Sequence, residues 1–425
     1  MNFSEHRPKV YFKTFGCRTN IFDTQVMISN LKDFDVTNNE KEANVVIINS
    51  CTVTNSADTT ARSYINSLKK LENSPKVIFT GCGTRTKGEK LFADNKIDGL
   101  FGSSLKENIN EILKLDDKFY KLGDLKSLDT TVVEEFVGKS RAFIKIQEGC
   151  DFRCSYCIIP FVRGDARSYE ESVILNQVQT LANNGFSEFI LTGTNVGSYG
   201  KKMHTSLAKL LKKMSLIKGV KRIRMGSIEP IQIDDEFKEL INEPFMAKHL
   251  HIALQHTSKE MLKIMNRRNK VLSDLELFEF LSQNGYALGT DFIVGHPGET
   301  QELWNEAMKN LHNFPLTHIH AFTYSKRDGT PSASMKDIVK GDVAKDRYIE
   351  LIEIIKQKNY EFRQNIKNNK VKLEVLVEQE KNGKYLGFDQ FFNQVEISSN
   401  EDLVSDWLNL EDYKVEFNKN EARFK

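Results

Sequence analysis

Three short β-branched runs, KVYFKTFGC, ANVVIINSC and PKVIFTGC, alternate with stretches of helical periodicity near the start of the chain. This alternation predicts the strands of a parallel α/β sheet. Each run ends on a cysteine: Cys17, Cys51 and Cys82. Open parallel sheets bind ligands beyond the C-terminal ends of their strands, so three thiols far apart in sequence are expected to converge on one edge. From Lys114 to Gly138 periodicity fades among charges and the stretch GDLKSLDTT, which reads as a linker. Six further strands are then predicted, over Ala142 to Gln147, Glu188 to Leu191, Arg222 to Ile228, His249 to Leu254, Gly289 to Val294 and His318 to Tyr324. Helical patterns separate them; in TSLAKLLKKMSLIKG, for instance, Leu207, Leu210, Leu211, Met214 and Ile217 share one face.

Six βα units fall short of a closed eight-unit barrel. Their strands are nevertheless followed by polar, glycine-rich or unusual loops, EGCDFRC, TGTNVGSYG, SIEP, QHTS, GHPGET and YSKRDGTP, where barrel enzymes carry their chemistry. A charged helix over Val343 to Asn368 precedes short alternating runs, KVKLEVLVEQ, GKYLGFD, NQVEIS and DYKVEF, which predict a small antiparallel barrel. The expected fold class is α/β: an N-terminal parallel-sheet domain over 1–125, a partial (β/α)6 barrel over 138–366, and a β-barrel over 367–425.

Charge changes this picture only locally. The 425 residues carry 60 basic and 58 acidic side chains, so attraction to a polyanion must come from patches. Lys201 to Arg224 holds nine basic and no acidic residues, and Asn266 to Lys270 adds three more. Such runs are the footprint of phosphate contact, or equally a solvated helix face. Ile366 to Lys425 has the opposite balance, nine basic against twelve acidic, which weakens simple electrostatic capture of a nucleic acid there. Tyr385, Phe388, Phe391 and Phe392 in that region either stack on unpaired bases or fill a core. No apolar run is long enough to span a bilayer, and MNFSEHRPKVYF lacks a signal-peptide pattern, so no membrane association and a cytoplasmic location are expected. In that reducing compartment six cysteines point to ligation or catalysis rather than to disulfides.

Three of the six stand in EGCDFRCSYCIIP, as Cys150, Cys154 and Cys157. A closed zinc or ferredoxin site takes four protein ligands, whereas three thiolates can hold three irons of a four-iron cluster and leave the fourth free for a small chelator. A structural zinc loop with a distant fourth ligand such as His249 is the alternative. For Cys17, Cys51 and Cys82 the alternative is a set of small core hydrophobes. The spacing C-x3-C-x2-C, with Tyr156 before the last cysteine and a strand just ahead, resembles the radical S-adenosylmethionine superfamily. FGCRTNIFDT, INSCTVTNSAD, FTGC, EGCDFRCSYCIIPFVRG, LTGTNVGSYG, LKIMNRRN and VGHPGET resemble the methylthiotransferases within it. CTVTNSAD is most similar to the branch that methylthiolates N6-threonylcarbamoyladenosine at tRNA position 37.

This resemblance implies two [4Fe-4S] clusters. One, on Cys150, Cys154 and Cys157, would cleave S-adenosylmethionine reductively, and the other, on Cys17, Cys51 and Cys82, would carry the sulfur destined for C2 of the adenine. That C–H bond is too inert for side-chain acid–base chemistry, so a cofactor must supply the reactivity. The resemblance also implies a tRNA substrate, a flavodoxin- or ferredoxin-type electron donor and a TRAM-like C-terminal barrel; a monomer is expected. By motif, Gly193, Thr194 and Asn195 would meet the amino or carboxylate end of S-adenosylmethionine, with Tyr156 in the same pocket, Ser227 and Glu229 near the sulfonium or ribose, and Gln255 alongside. Blander roles stand beside these: a tight turn at Gly193, a cap at Glu229, a satisfied backbone group at Gln255. His256 and His296 depart from the family's usual serine-glycine pair and phenylalanine, and are expected to be wall residues. Alternative functions are methylthiolation of isopentenyladenosine or of a ribosomal protein, and a non-catalytic iron-sulfur RNA-binding protein. The last gives no reason for the TGTN and SIEP loops.

Overall fold

In a computed structural model describing residues 7–136 and 138–424, the N-terminal sheet is parallel throughout. It contains β1 (Lys9–Thr14), β2 (Asp35–Val36), β3 (Val45–Ser50), β4 (Lys76–Gly81), β5 (Gly99–Phe101) and β6 (Phe119–Lys121), in the order β2-β1-β3-β4-β5-β6. Helices cover both faces, so β3 is buried at every position. Val45, Ile47 and Ile78 pack to one side, while Val46, Ile48 and Phe79 pack to the other with Ile65 and Leu68 of the helix Asn55–Leu68. Because β1, β3 and β4 are neighbours, Cys17, Cys51 and Cys82 leave the sheet at one edge. Gly16 sits there with φ +99°, and an added Cβ would lie 2.5 Å from Cys51 Cβ. Only glycine allows this crossing.

The central strands are β7 (Ala142–Glu148), β8 (Arg167–Ser168), β9 (Glu188–Gly193), β10 (Arg222–Arg224), β11 (His249–His251), β12 (Ala287–Val294) and β13 (Leu316–Thr323). Parallel ladders join β7, β9 and β10, and again β11, β12 and β13, while β8 caps the β7 edge antiparallel. Isolated bridges at Ile223–Met246 and Ile228–Ile252 connect the two halves into a partial (β/α)6 barrel. β10 and β11 are shorter than their sequence patterns predict. After β10, Gly226 lies so close to β9 that a Cβ would meet Leu191 O at 2.8 Å, and after β11, Gln255 turns to φ +67°. Both chains leave the ladder to enter the cavity described below.

The predicted linker is more than a tether. Among its described residues, β6 extends the first sheet, and Val133 and Phe136 are buried in the central core beside Phe22 and Val26 of the helix Arg18–Ser29.

A long helix, Gly341–Asn368, leads to β14 (Leu373–Lys381), β15 (Lys384–Phe388), β16 (Gln394–Ser398), β17 (Trp407–Leu410), β18 (Lys414–Val415) and β19 (Asn420–Arg423). They form a curled sheet, antiparallel except where β16 pairs with β19. This domain docks beneath the barrel. Arg222 donates to Glu374 O and Phe388 O, and Arg224 to Asp389 O and Gln390 O, while Glu188 pairs with both arginines. The last two cations of the basic run are therefore buried structural ties, not phosphate contacts. Phe391 lies in the core with Phe362, and Tyr385 packs at its margin. Phe388 and Phe392 stack with centroids 4.9 Å apart at the barrel floor. No helix of the described residues is long and apolar enough to cross a membrane.

Candidate functional site

All six cysteines line one cavity of about 400 Å3, and so do Tyr156, Gly193, Thr194, Asn195, Ser227, Glu229 and Gln255. The N-terminal sheet edge faces the mouth of the barrel, which brings together residues from the two domains. Cys82 packs against Ile158 and Val162, directly after Cys157, so the two cysteine sets are neighbours. None of the six is in a disulfide.

The thiols are held as two groups. Burial pushes Cys51 up to about 12, with Cys82 and Cys17 adding to the effect; burial also pushes Cys157 up to about 12, helped by Cys154 and Cys150. Buried neighbouring thiols of this kind ionise only when a metal or a cation compensates the charge. Each group has such a cation. Arg163 Nε lies 3.1 Å from Cys82 Sγ, and Arg267 Nη1 lies 3.6 Å from Cys154 Sγ. Cys150 Sγ accepts from Asn195 Nδ2 and from the amide of Phe152, both at 3.4 Å. Three convergent sulfurs with donors aimed at them fit an iron-sulfur cluster in each group.

The loops beyond the strands behave differently from one another. Gly193 lies against β7, where a Cβ would be 2.7 Å from Gln147 O, and Thr194 Oγ1 accepts from Gly149 N at 2.9 Å. Asn195 receives its backbone alignment from Gln147 Oε1 at 2.8 Å, yet its own Oδ1 is buried with no partner. An orphaned buried acceptor marks a place for a donor from a ligand, such as an ammonium group. Glu229 is gripped through both carboxylate oxygens by Arg267, which also donates to Ala253 O at 2.5 Å. Gln255 is fixed by its main chain to Asp291 O and Ile293 N, and its side chain makes no hydrogen bond among the described residues. Ser227 Oγ donates to Asp291 Oδ2 at 3.0 Å. Tyr156 packs with Met261, Met265 and Ile293.

Arg163 belongs to a larger buried network. Its guanidinium also contacts Asp23 Oδ2 (2.8 Å), Glu148 Oε1 and Asn20 Oδ1 (2.8 Å), and Lys145 Nζ bridges Asp23 and Asp129 at 2.6 and 3.1 Å. Lys106 joins at Asp129, 2.7 Å away. The network binds the first domain, the connecting strap and the barrel around Cys82.

His256 and His296 are fully buried and do not line the cavity. His256 Nδ1 accepts from Ser258 N, and His296 Nδ1 donates to Pro297 O at 2.8 Å behind Tyr156. Sequence reasoning placed Arg267 in a basic run read as phosphate contact or equally as a solvated face, and missed Arg163 and Asp291. Arg163 does stand within the quoted cluster motif, but nothing in its spacing revealed that it faces a cysteine of another domain.

Residues 9–102 match the family described as Uncharacterized protein family UPF0004, and residues 144–311 match the Radical SAM superfamily. A Helicobacter pylori chain whose name assigns it only provisionally as a methylthiotransferase is 53% identical, covering 98% of this chain and 100% of its own. The threonylcarbamoyladenosine tRNA methylthiotransferase MtaB of Bacillus subtilis is 31% identical over 98% of this chain and 96% of its own. A tRNA-2-methylthio-N(6)-dimethylallyladenosine synthase of Hydrogenobaculum is 30% identical, over 93% and 94%. The radical S-adenosylmethionine methyltransferase TsrM of Kitasatospora setae shares the fold at a TM-score of 0.59 and 16% identity, each chain covered to 77%. With both domain matches and full-length relatives in agreement, the chain belongs to the radical S-adenosylmethionine methylthiotransferases, whose cofactors are S-adenosylmethionine and two [4Fe-4S] clusters.

Proposed function

We propose that this enzyme adds a methylthio group to C2 of N6-threonylcarbamoyladenosine at position 37 of tRNA. The observation that carries the reaction class is the single cavity shared by both cysteine groups and the barrel loops. The similarity of CTVTNSAD favours this nucleoside over the dimethylallyl one, whose synthases match the chain almost as fully as the threonylcarbamoyladenosine enzymes do. When bound, S-adenosylmethionine and the clusters supply the one-electron chemistry and the sulfur that side chains lack.

The chain's own residues hold and screen these groups. Cys150, Cys154 and Cys157 ligate one cluster, and Cys17, Cys51 and Cys82 the other. Arg267 and Arg163 neutralise sulfur charge at the two sites. Asn195 Oδ1 accepts from the ammonium end of S-adenosylmethionine, Gly193 and Thr194 shape that end, and Glu229, Ser227 and Gln255 bound its ribose and sulfonium. Tyr156, Phe152 and Ile293 keep water from the reacting centre. A tRNA docks at the cavity mouth, a flavodoxin- or ferredoxin-type protein delivers electrons, and the enzyme works as a cytoplasmic monomer.

The test is anaerobic reconstitution of the wild type and of a Cys150→Ala, Cys154→Ala, Cys157→Ala variant, followed by iron quantitation and mass spectrometry of treated tRNA. About eight irons in the wild type, about four in the variant and a methylthio group on threonylcarbamoyladenosine are expected. Modification of dimethylallyladenosine, or of a ribosomal protein instead, would refute the substrate assignment.

A further inference from the structure

Below the cysteine cavity the barrel lumen holds a concentration of charge that the reaction outlined above does not use. Arg18, Arg141, Arg222 and Arg224 gather there with Glu188, Glu378 and Asp389. Three of these arginines have acceptors. Arg222 and Arg224 share Glu188 and reach main-chain carbonyls, and Arg141 pairs with Glu378. Arg18 has none: among the described residues its guanidinium forms no ion pair and no hydrogen bond. Its guanidinium lies over the Phe392 ring, 5.7 Å from the centroid, with Arg224 over the same ring at 5.3 Å. A half-buried guanidinium next to like charge and without an anion is a group waiting for one.

Its position says which anion. Arg18 follows Cys17 directly, and Cys17 and Thr19 on either side of it both line the cavity. Thr19 Oγ1 is 3.3 Å from Thr192 Oγ1 of β9, so the first turn of this helix lies against the barrel, and the Arg18 guanidinium reaches Phe392 at its floor. The far wall is Asp291, with His251 Nε2 at 3.0 Å and His320 Nδ1 at 3.5 Å from its Oδ1. His320 is 61% exposed and Phe322 42% exposed, so the lumen opens to solvent along β13. The lumen offers a path for the N6 substituent of a base placed with C2 between the cysteine groups.

We propose that Arg18 receives the carboxylate of an amino-acid substituent on N6 of the target adenosine, and thereby selects a carboxylate-bearing base over one with an apolar substituent. The proposal rests on the tRNA reading above and adds the residue that decides between its two nucleosides. A planar guanidinium matches a carboxylate with two parallel N–H donors, which no apolar substituent can replace. A backbone phosphate is the other anion of a tRNA, but it is present on every RNA and carries no selection.

The test measures binding by the reconstituted enzyme in the absence of a reductant. The probes are anticodon stem-loops carrying adenosine, N6-threonylcarbamoyladenosine, its methyl ester or N6-dimethylallyladenosine at position 37. The wild type is expected to favour the free carboxylate over the ester on the order of tenfold to a hundredfold, the worth of a hydrogen-bonded charge. Arg18→Gln should lose that preference while iron content, and cleavage of S-adenosylmethionine in a parallel assay with dithionite added, hold. Arg18→Lys keeps the charge and should retain part of it, which covers the case where glutamine disturbs the fold. An unchanged preference in both variants overturns the proposal, and so does an equal loss on all four RNAs, which would mark a phosphate contact or a structural role. A wild type that binds the dimethylallyl RNA as tightly as the threonylcarbamoyl RNA, with no preference for the carboxylate, refutes the nucleoside reading itself, whatever the variants do.

Discussion

At the scale of single residues, the cysteines were legible and their supporting cations were not. Three thiols at C-x3-C-x2-C spacing announce an open coordination position because so short a loop brings three ligands to one cluster and supplies no fourth. Arg163 and Arg267 act through space: one reaches a thiol 81 positions away and the other a thiol 113 away. Arg163→Met should leave Cys82, Asp23 and Glu148 without their shared cation, destabilising the protein by about 3–5 kcal/mol. Chemical denaturation would show it, and iron quantitation should show preferential loss from the N-terminal site. His296 gives a pH signature. Burial pulls it down from 6.5 to about 4, so the folded state holds a neutral ring where the unfolded chain would be protonated. Its contribution to stability is complete above about pH 6.5 and is lost as pH falls toward 4. His296→Phe should therefore flatten the dependence of melting temperature on pH between 6.5 and 4; a slope as steep as in the wild type would show that other groups carry it.

Elements were predicted well where hydrophobic runs were long, and poorly where a strand bends into the cavity. β3 and β12 follow their patterns. β10 and β11 end early because close packing at Gly226 and the left-handed turn at Gln255 take the chain out of the ladder. The pattern of side chains persists there while the hydrogen bonding does not, and only the latter defines a strand. Gly16 shows the same limit at a crossing of two elements. With φ +99° and a Cβ position 2.5 Å from Cys51 Cβ, Gly16→Ala should push the β1 and β3 ends apart. We expect about four irons in that variant after reconstitution, with the Cys150, Cys154 and Cys157 site still filled and S-adenosylmethionine still cleaved.

In the whole molecule, buried charge joins the domains around the site, beside the apolar contacts of Phe22 and Val26 with the central core and of Cys82 with Ile158 and Val162. Burial acts against the Asp23 carboxylate, but Lys145, Lys106 and Arg163 outweigh it and hold the group well below the usual carboxylate range; Asp129 is treated likewise by Lys145 and Lys106. Carboxylates depressed in this way stabilise the protein above about pH 4, and that stability is lost as pH falls through their folded values. Acid should thus loosen the domain contact, and Lys145→Met should do so at neutral pH. Small-angle scattering against pH reads both; a contact intact in the variant would place the docking energy elsewhere.

The sequence by itself determined the longer strands and the three-domain order through local periodicity, and the C-x3-C-x2-C set through its spacing, while the resemblance of its motifs gave the family and the second cysteine set. Tertiary structure decided that the two cysteine sets share one cavity, that Arg222, Arg224, Phe388 and Phe392 fasten the last domain rather than meet RNA, and that Arg18 faces the lumen unpaired. Each of these is settled by contacts between residues far apart in the chain, 81 positions for Arg163 and Cys82 and 165 for Arg224 and Asp389, where no pattern along the chain records it.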